Sequence, residues 1–286
     1  MPEADVNGVK LHYESAGNGP AIVLVTPPLL TRAIFRFQAE HLSDAFRIVT
    51  FDVRGHGRSG RSPEPVSLPL LADDVLHLMD ALGIRRAFVG GYSTGAAVAL
   101  EALIRSPGRF YGGILLSGMS EFSDWYNIAR LKAAQMLAGV LRGRLLAWAV
   151  CRGNADGKES FARLYRDALL GSPDHWRQYY RSSETYRCTA RLAGIRQPVL
   201  LVYGGKDRPF DRYARLLQRE LANPSMATVE GASHQLPMKA AAAVNRLIRD
   251  FAEDVLKRQP PDEDGNVPQP AGPQNMSAPP AQLVIE

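Results

Sequence analysis

The sequence predicts an α/β fold: a doubly wound, mostly parallel sheet with an N-terminal antiparallel hairpin and an inserted helical segment. Three observations predict it. A hairpin pattern opens the chain, short apolar runs then alternate with amphipathic helical patterns, and that alternation stops between about residues 121 and 190.

Residues 6–14, VNGVKLHYE, alternate polar and apolar about Asn7-Gly8, a dipeptide suited to a tight hairpin turn. Continuous apolar runs follow at Ala21–Val25, Arg47–Asp52, Ala87–Tyr92, Gly113–Ser117, Val199–Tyr203 and Ala227–Glu230. Runs without alternation suit strands buried on both faces, as in a parallel sheet covered by helices. Helical patterns lie over about residues 32–43, 69–82, 94–106, 210–222 and 238–257, the third ending near Pro107, which cannot continue a helix. Between Glu121 and Ala190 the pattern is helical throughout, and residues 122–191 hold twelve Lys or Arg against six Asp or Glu. The chain therefore divides into a first core part, 1–120, an insert, 121–191, a second core part, 192–258, and a tail, 259–286.

The tail holds seven of the twenty prolines, four acidic side chains and no Lys or Arg, so the formal charge of +5 becomes +9 for residues 1–258. It has too little apolar surface to repay its ordering entropy and is expected to be disordered. Basic residues are spread along the whole body without a recognition motif, which favours scattered solvated charge over a nucleic-acid partner. No apolar run approaches the roughly 18 residues needed to span a bilayer. The N-terminus MPEADVNG lacks a secretory signal pattern, and two cysteines, Cys151 and Cys188, make no disulfide framework or zinc motif. The expectation is a cytoplasmic chain, free of metal and cofactor, that acts on a small molecule. Oligomeric state leaves no trace in the sequence.

The apolar run Ala87–Tyr92 leads directly into Gly91-Tyr92-Ser93-Thr94-Gly95 and then into the helical AAVALEALIRS. This G-x-S-x-G lies in the strand–turn–helix context of a nucleophile elbow. So tight a turn strains the Ser93 backbone, exposes its hydroxyl and leaves no room for side chains at 91 and 95. It also sets the Thr94 N–H in the first helical turn, where it lacks an internal acceptor and can meet an oxyanion. A serine hydroxyl needs a base, itself oriented by a carboxylate. Of six histidines, His234 lies in a loop, GASHQLP, between the last strand and the last helix. Asp207 follows a strand in GGKDRPF, where it is either a helix N-cap before Pro209 or the carboxylate at a strand's carboxyl end. Glu121 and Asp124 are reserve candidates for the acid. The order Ser93, Asp207, His234 matches one class of hydrolases.

These residues, with Asp52-x-Arg54-Gly55-x-Gly57-x-Ser59, resemble the α/β-hydrolase superfamily, in its serine hydrolase branch with a helical cap, over about residues 6–256. The resemblance implies that residues 121–191 cap the active site, and serine rather than aspartate at 93 disfavours the dehalogenase and epoxide hydrolase branches. Asp52 and Arg54 are expected to tie loops together through charge-assisted hydrogen bonds. Pro28, Tyr92, Met119, Trp125 and Leu236, with Tyr126, are candidate linings of an acyl pocket, against core packing as the alternative. One departure stands out. Where the family carries His-Gly-x, with x donating the second oxyanion N–H, this chain has Thr26-Pro27-Pro28-Leu29-Leu30, and x falls on Pro28, which has no N–H. Either Leu29 donates from a reshaped loop, for example through a cis proline, or Thr26 lends its hydroxyl, or the hole is half-built. The proline pair serves equally well as a rigid turn. The leading reading is a serine hydrolase of small carboxylic esters, thioesters or lactones. The alternatives are a small-molecule receptor or partner-binding protein with weak turnover, a carbon–carbon bond hydrolase, and an anionic-surface binder.

Overall fold

Ala21–Val25 (β3) carries no polar side chain, and all five residues are buried. Such a strand is stable only between two strands and under helices on both faces. In the computed structural model, which describes residues 2–139 and 143–258, β3 lies between Arg47–Phe51 (β4) and Ala87–Tyr92 (β5) in parallel register. The hairpin Glu3–Val6 (β1) and Val9–Ala16 (β2) turns at Asn7 and Gly8, both at positive φ, and β2 pairs antiparallel with β4. Phe110–Leu116 (β6), Val199–Gly204 (β7) and Pro224–Val229 (β8) extend the parallel part beyond β5. The sheet order is β1-β2-β4-β3-β5-β6-β7-β8, a mixed eight-stranded sheet of the predicted class. The predicted tail, 259–286, lies outside the described residues.

Crossover helices join the strands: Arg36–Leu42 (α1), Leu68–Ala81 (α2) and Thr94–Arg105 (α3) precede β4, β5 and β6. Ser67 caps α2 by accepting the Leu70 N–H at 3.3 Å, and Pro69 fits its first turn. Four helices fill the excursion after β6: Trp125–Leu137 (α4), Gly143–Asn154 (α5), Lys158–Ala168 (α6) and Pro173–Thr185 (α7). Its two ends meet in an antiparallel bridge between Glu121 and Arg187, with the Cys188 N–H donating to the Ser120 carbonyl at 3.1 Å. Asp211–Glu220 (α8), the single turn Leu236–Lys239 (α9) and Ala241–Lys257 (α10) complete the layers.

Several boundaries depart from the sequence expectation. The first predicted helix opens as a 3-10 turn, Arg32–Phe35, before α1, and the last is broken at Ala240 into α9 and α10. Strands β6 and β8 each begin three residues early, at Phe110 and Pro224. Among the described residues strand β8 is an edge with β7 as its one neighbour, and its side chains are half-buried or exposed rather than buried on both faces.

Helix α7 is fastened to the core by hydrogen bonds. Its Gln178 and Ser182 side chains accept from the Val66 and Leu68 N–H groups at 2.9 and 3.0 Å, and the Tyr179 hydroxyl donates to the Thr26 carbonyl at 3.0 Å. Beneath it His56 is fully buried, its Nδ1 3.0 Å from the Arg54 carbonyl and its ring edge-on to Tyr179 at 5.8 Å. Nδ1 therefore carries the proton, while Nε2 has no partner among the described residues. Burial pulls this imidazole from its ordinary 6.5 down to about 4, and neighbouring His175 pushes the same way. The unfolded chain takes up that proton at higher pH than the folded one, so stability falls as pH drops from about 6.5 to about 4. The loss is of order 3 kcal/mol at the foot of that window. Urea midpoints measured from about pH 8 to pH 4 should show this slope, and His56→Asn should flatten it.

Candidate active site

Between β5 and α3 the chain reverses at Ser93, whose φ of 54° and ψ of −123° lie where L-residues are strained. The flanking glycines make the turn feasible. A Cβ on Gly91 would enter the backbone of Gly95 and Ala96, and one on Gly95 would meet the Val25 carbonyl of β3. The Ser93 N–H donates to the Leu116 carbonyl of β6 at 2.8 Å, which anchors the strained residue to the neighbouring strand.

Asp207 leaves the end of β7 through a turn in which its N–H donates to the Gly204 carbonyl at 2.9 Å. It stands at the N-cap of the short 3-10 turn Arg208–Phe210, yet its side chain makes no capping hydrogen bond. Instead its carboxylate accepts from His234 Nδ1 at 2.7 Å, and His234 Nε2 lies 3.0 Å from Ser93 Oγ. With Nδ1 bound to a carboxylate, Nε2 presents a lone pair to the hydroxyl. The His234 ring is held between Tyr92 and Phe210, with ring centroids 5.4 and 4.2 Å away. Its carbonyl accepts from Ser117 Oγ at 3.1 Å and from the Leu236 N–H at 2.9 Å. The reserve carboxylates are engaged elsewhere: Asp124 caps α4 through the Asn127 N–H and accepts from Tyr213, while Glu121 accepts from Thr189. Burial pushes both free thiols, Cys151 and Cys188, up to about 12, so neither offers a thiolate near neutrality.

A cavity of about 410 Å³ opens onto Ser93, Thr94 and His234. Its floor includes Pro27, Pro28, Leu30 and Tyr92, and α4 and α5 supply much of the remaining wall. Among the described residues no carbonyl accepts from the Thr94, Leu29 or Leu30 N–H groups, and no peptide bond is cis. Leu29 adopts φ 73° and turns its side chain fully into the core, leaving Pro28 and Leu30 against the cavity.

Of the predicted lining residues the cavity takes Pro28 and Tyr92 and omits Met119, Trp125, Tyr126 and Leu236. Met119 is buried beside a separate, smaller crevice that it shares with Leu68 and Phe122. Trp125 is 81 % exposed and rests edge-on against the partly exposed Tyr126. Asn127, Leu131 and Ala134 set the inward face of α4, and a residue two positions before Asn127 points away from it. Leu236 is fully buried, and its neighbour Gln235 lines the cavity in its place. Sequence reading missed the α4 face of Asn127, Arg130, Leu131, Ala134 and Leu137, whose i, i+3, i+4, i+7 spacing is itself the available signal. It also missed Asn154, which accepts from the buried Tyr92 hydroxyl at 2.9 Å and so ties the end of α5 to the residue before Ser93. Nothing local in the sequence marks that pair.

The family model described as the alpha/beta hydrolase family matches residues 22–247. The chain is 24 % identical to 3-oxoadipate enol-lactonase 2 of Acinetobacter baylyi over 257 residues, covering 87 % of this chain and 94 % of that protein. To the human serine hydrolase BPHL it is 25 % identical over 269 residues, covering 87 % and 84 %. Among solved structures, the enol-lactonase from Burkholderia xenovorans LB400 superposes with a TM-score of 0.79 at 25 % identity, covering 88 % of this chain and 99 % of that one. A thermophilic esterase from Thermogutta terrifontis shares the fold, with a TM-score of 0.77 at 22 % identity over 89 % of this chain and 98 % of that one.

Proposed function

Because this chain belongs to the alpha/beta hydrolase family, we propose that it is a serine hydrolase cleaving small carboxylic esters, thioesters or lactones through Ser93, His234 and Asp207. The observation that carries the reading is the unbroken line from Asp207 Oδ2 through both ring nitrogens of His234 to Ser93 Oγ, at 2.7 and 3.0 Å. Ser93 Oγ attacks the acyl carbon as its proton passes to His234 Nε2, and Asp207 stabilises the imidazolium so formed. The Thr94 N–H, with that of Leu29, takes the negative charge that develops on the carbonyl oxygen. His234 then returns the proton to the leaving group, and a water it activates releases the acyl chain from Ser93. Residues 121–191 act as a cap, since α4 and α5 close the cavity over the serine, while 1–120 and 192–258 form the core beneath.

A fluorophosphonate probe tests this directly: it should label Ser93 stoichiometrically, with turnover of short p-nitrophenyl esters lost on labelling. Absence of both would end the reading. Pro28 supports a second one, a small-molecule receptor with weak turnover, because it lines the cavity where an N–H donor is expected and has none. A missing oxyanion donor costs about 2.7–4 kcal/mol of transition-state stabilisation. Full labelling with turnover of every ester slower than a typical rate of about 10 per second by that factor of 10²–10³, about 0.01–0.1 per second, would favour the receptor.

A further inference from the structure

Among the described residues lining the cavity none is Asp or Glu, and Arg130 is the single Lys or Arg. Its place follows from helical spacing. Asn127, Arg130, Leu131 and Ala134 share the face of α4 turned to the cavity, and Arg130 sits at the exposed edge of that face. No carboxylate lies within 4 Å of it among the described residues. The acids of the neighbourhood are occupied: Asp124 with Asn127 and Tyr213, and Glu184 with Lys132 and Gln135. Arg130 itself makes only a 3.3 Å hydrogen bond to Asn127 Oδ1 and a loose approach to the Tyr126 ring at 5.6 Å, so most of its donors are left for a ligand. Its charge reaches the cavity wall, for burial raises the proton affinity of the Tyr92 and Tyr180 hydroxyls and Arg130 pulls both back in part.

We infer that Arg130 selects substrates whose acyl chain carries a second, anionic group, a carboxylate above all, held at the cavity mouth while the ester carbonyl lies at Ser93. The inference rests on the hydrolase reading and deepens it. A guanidinium at the rim of a mainly apolar channel, acid-free among the described residues, offers a carboxylate a paired, charge-assisted site, and an uncharged chain of the same length gains nothing from it. At an exposed rim the discrimination is modest and salt-dependent, about tenfold rather than thousandfold.

The test compares mono-p-nitrophenyl esters of succinate, glutarate and adipate with their uncharged methyl-capped counterparts. At low salt kcat/KM for the best anionic member should exceed that of its capped partner by about tenfold, shrinking near 0.5 M salt. Arg130→Gln should bring that ratio to about one and Arg130→Glu should invert it, whereas Arg130→Lys should keep a preference. No anionic preference at any length, or an equal ratio in Arg130→Gln, overturns the inference while leaving the hydrolase reading intact. If neither ester turns over and Ser93 takes no label, the hydrolase reading has failed, and binding decides the inference instead. Calorimetric titration of glutarate and adipate should then show binding to wild type that weakens in Arg130→Gln, and equal binding to both overturns it.

Discussion

Replacing His234 by alanine is expected to lower kcat/KM for p-nitrophenyl esters by about 10⁴- to 10⁶-fold, and Ser93→Ala by a similar factor. The size follows from the coupling of the two atoms. Without Nε2 at 3.0 Å, Ser93 Oγ keeps its proton at neutral pH and its attack is that of an ordinary alcohol. In the proposed triad the groups act as a unit, so the double variant should be no slower than either single one. Asp207→Asn should cost about 10⁴-fold by favouring the wrong tautomer of His234 while sparing the packing around Tyr92 and Phe210. Steady-state kinetics with unchanged circular dichroism would check all four variants. A loss below tenfold in His234→Ala would remove it from the chemistry.

The second large effect concerns stability. Arg54 and Asp74 form a bidentate pair, with Nε 2.7 Å from Oδ2, and both side chains are essentially sealed from solvent. Arg54 also donates to the Asn7 carbonyl at 3.1 Å and to Ser62 Oγ at 3.0 Å, and Asn7 Nδ2 donates back to Asp74 at 3.2 Å. The pair thereby joins the hairpin turn, the loop after β4 and α2. Burial pushes the Asp74 carboxyl up and Arg54 opposes that rise. Arg54→Met strands Asp74 without its counter-charge and is expected to cost about 3–5 kcal/mol, read from urea midpoints. Adding Asp74→Leu should recover most of the loss, since a packed apolar pair of similar volume often equals a buried ion pair. In the single variant the folded carboxyl titrates above its unfolded value. Its deficit against wild type should therefore shrink as pH falls through the carboxylate range. A deficit independent of pH would mean that lost packing, not stranded charge, is responsible.

The other marker residue of that loop works separately. Asp52 accepts from the Arg32 and Arg58 N–H groups at 2.8 and 3.1 Å, so the expected charge-assisted ties are present but run to different partners. Gly57, at φ 49°, leaves room for that carboxylate, since a Cβ there would run into it. A local motif shows that such a loop exists, but its partners come from segments distant in sequence.

Strands β3 and β5 are legible to the residue because every side chain in them is buried, and hydropathy reports burial. The starts of β6 and β8 are not. Gly112 interrupts the apolar run at the start of β6, although a Cβ there would crowd the Pro198 carbonyl. Strand β8 is held by its backbone ladder to β7 while half its surface faces water, so composition barely marks it. Leu236 failed as a pocket candidate because apolarity says that a side chain avoids water, not which interior it joins, and Trp125 failed because apolarity does not say which face of its helix a side chain occupies.

By itself the sequence determined the alternation of strands and helices, the glycine-flanked turn at Ser93, and a short set of polar residues outside any periodic pattern. These are local properties, set by side-chain volume, backbone freedom and apolar spacing over a few residues. Only the tertiary structure decided the 2.7 and 3.0 Å distances among Asp207, His234 and Ser93, the face of α4 that meets the cavity, and the absence, among the described residues, of any acid beside Arg130. Those depend on how elements many residues apart cross and pack. That is settled by burying the whole apolar surface at once, which no single segment encodes.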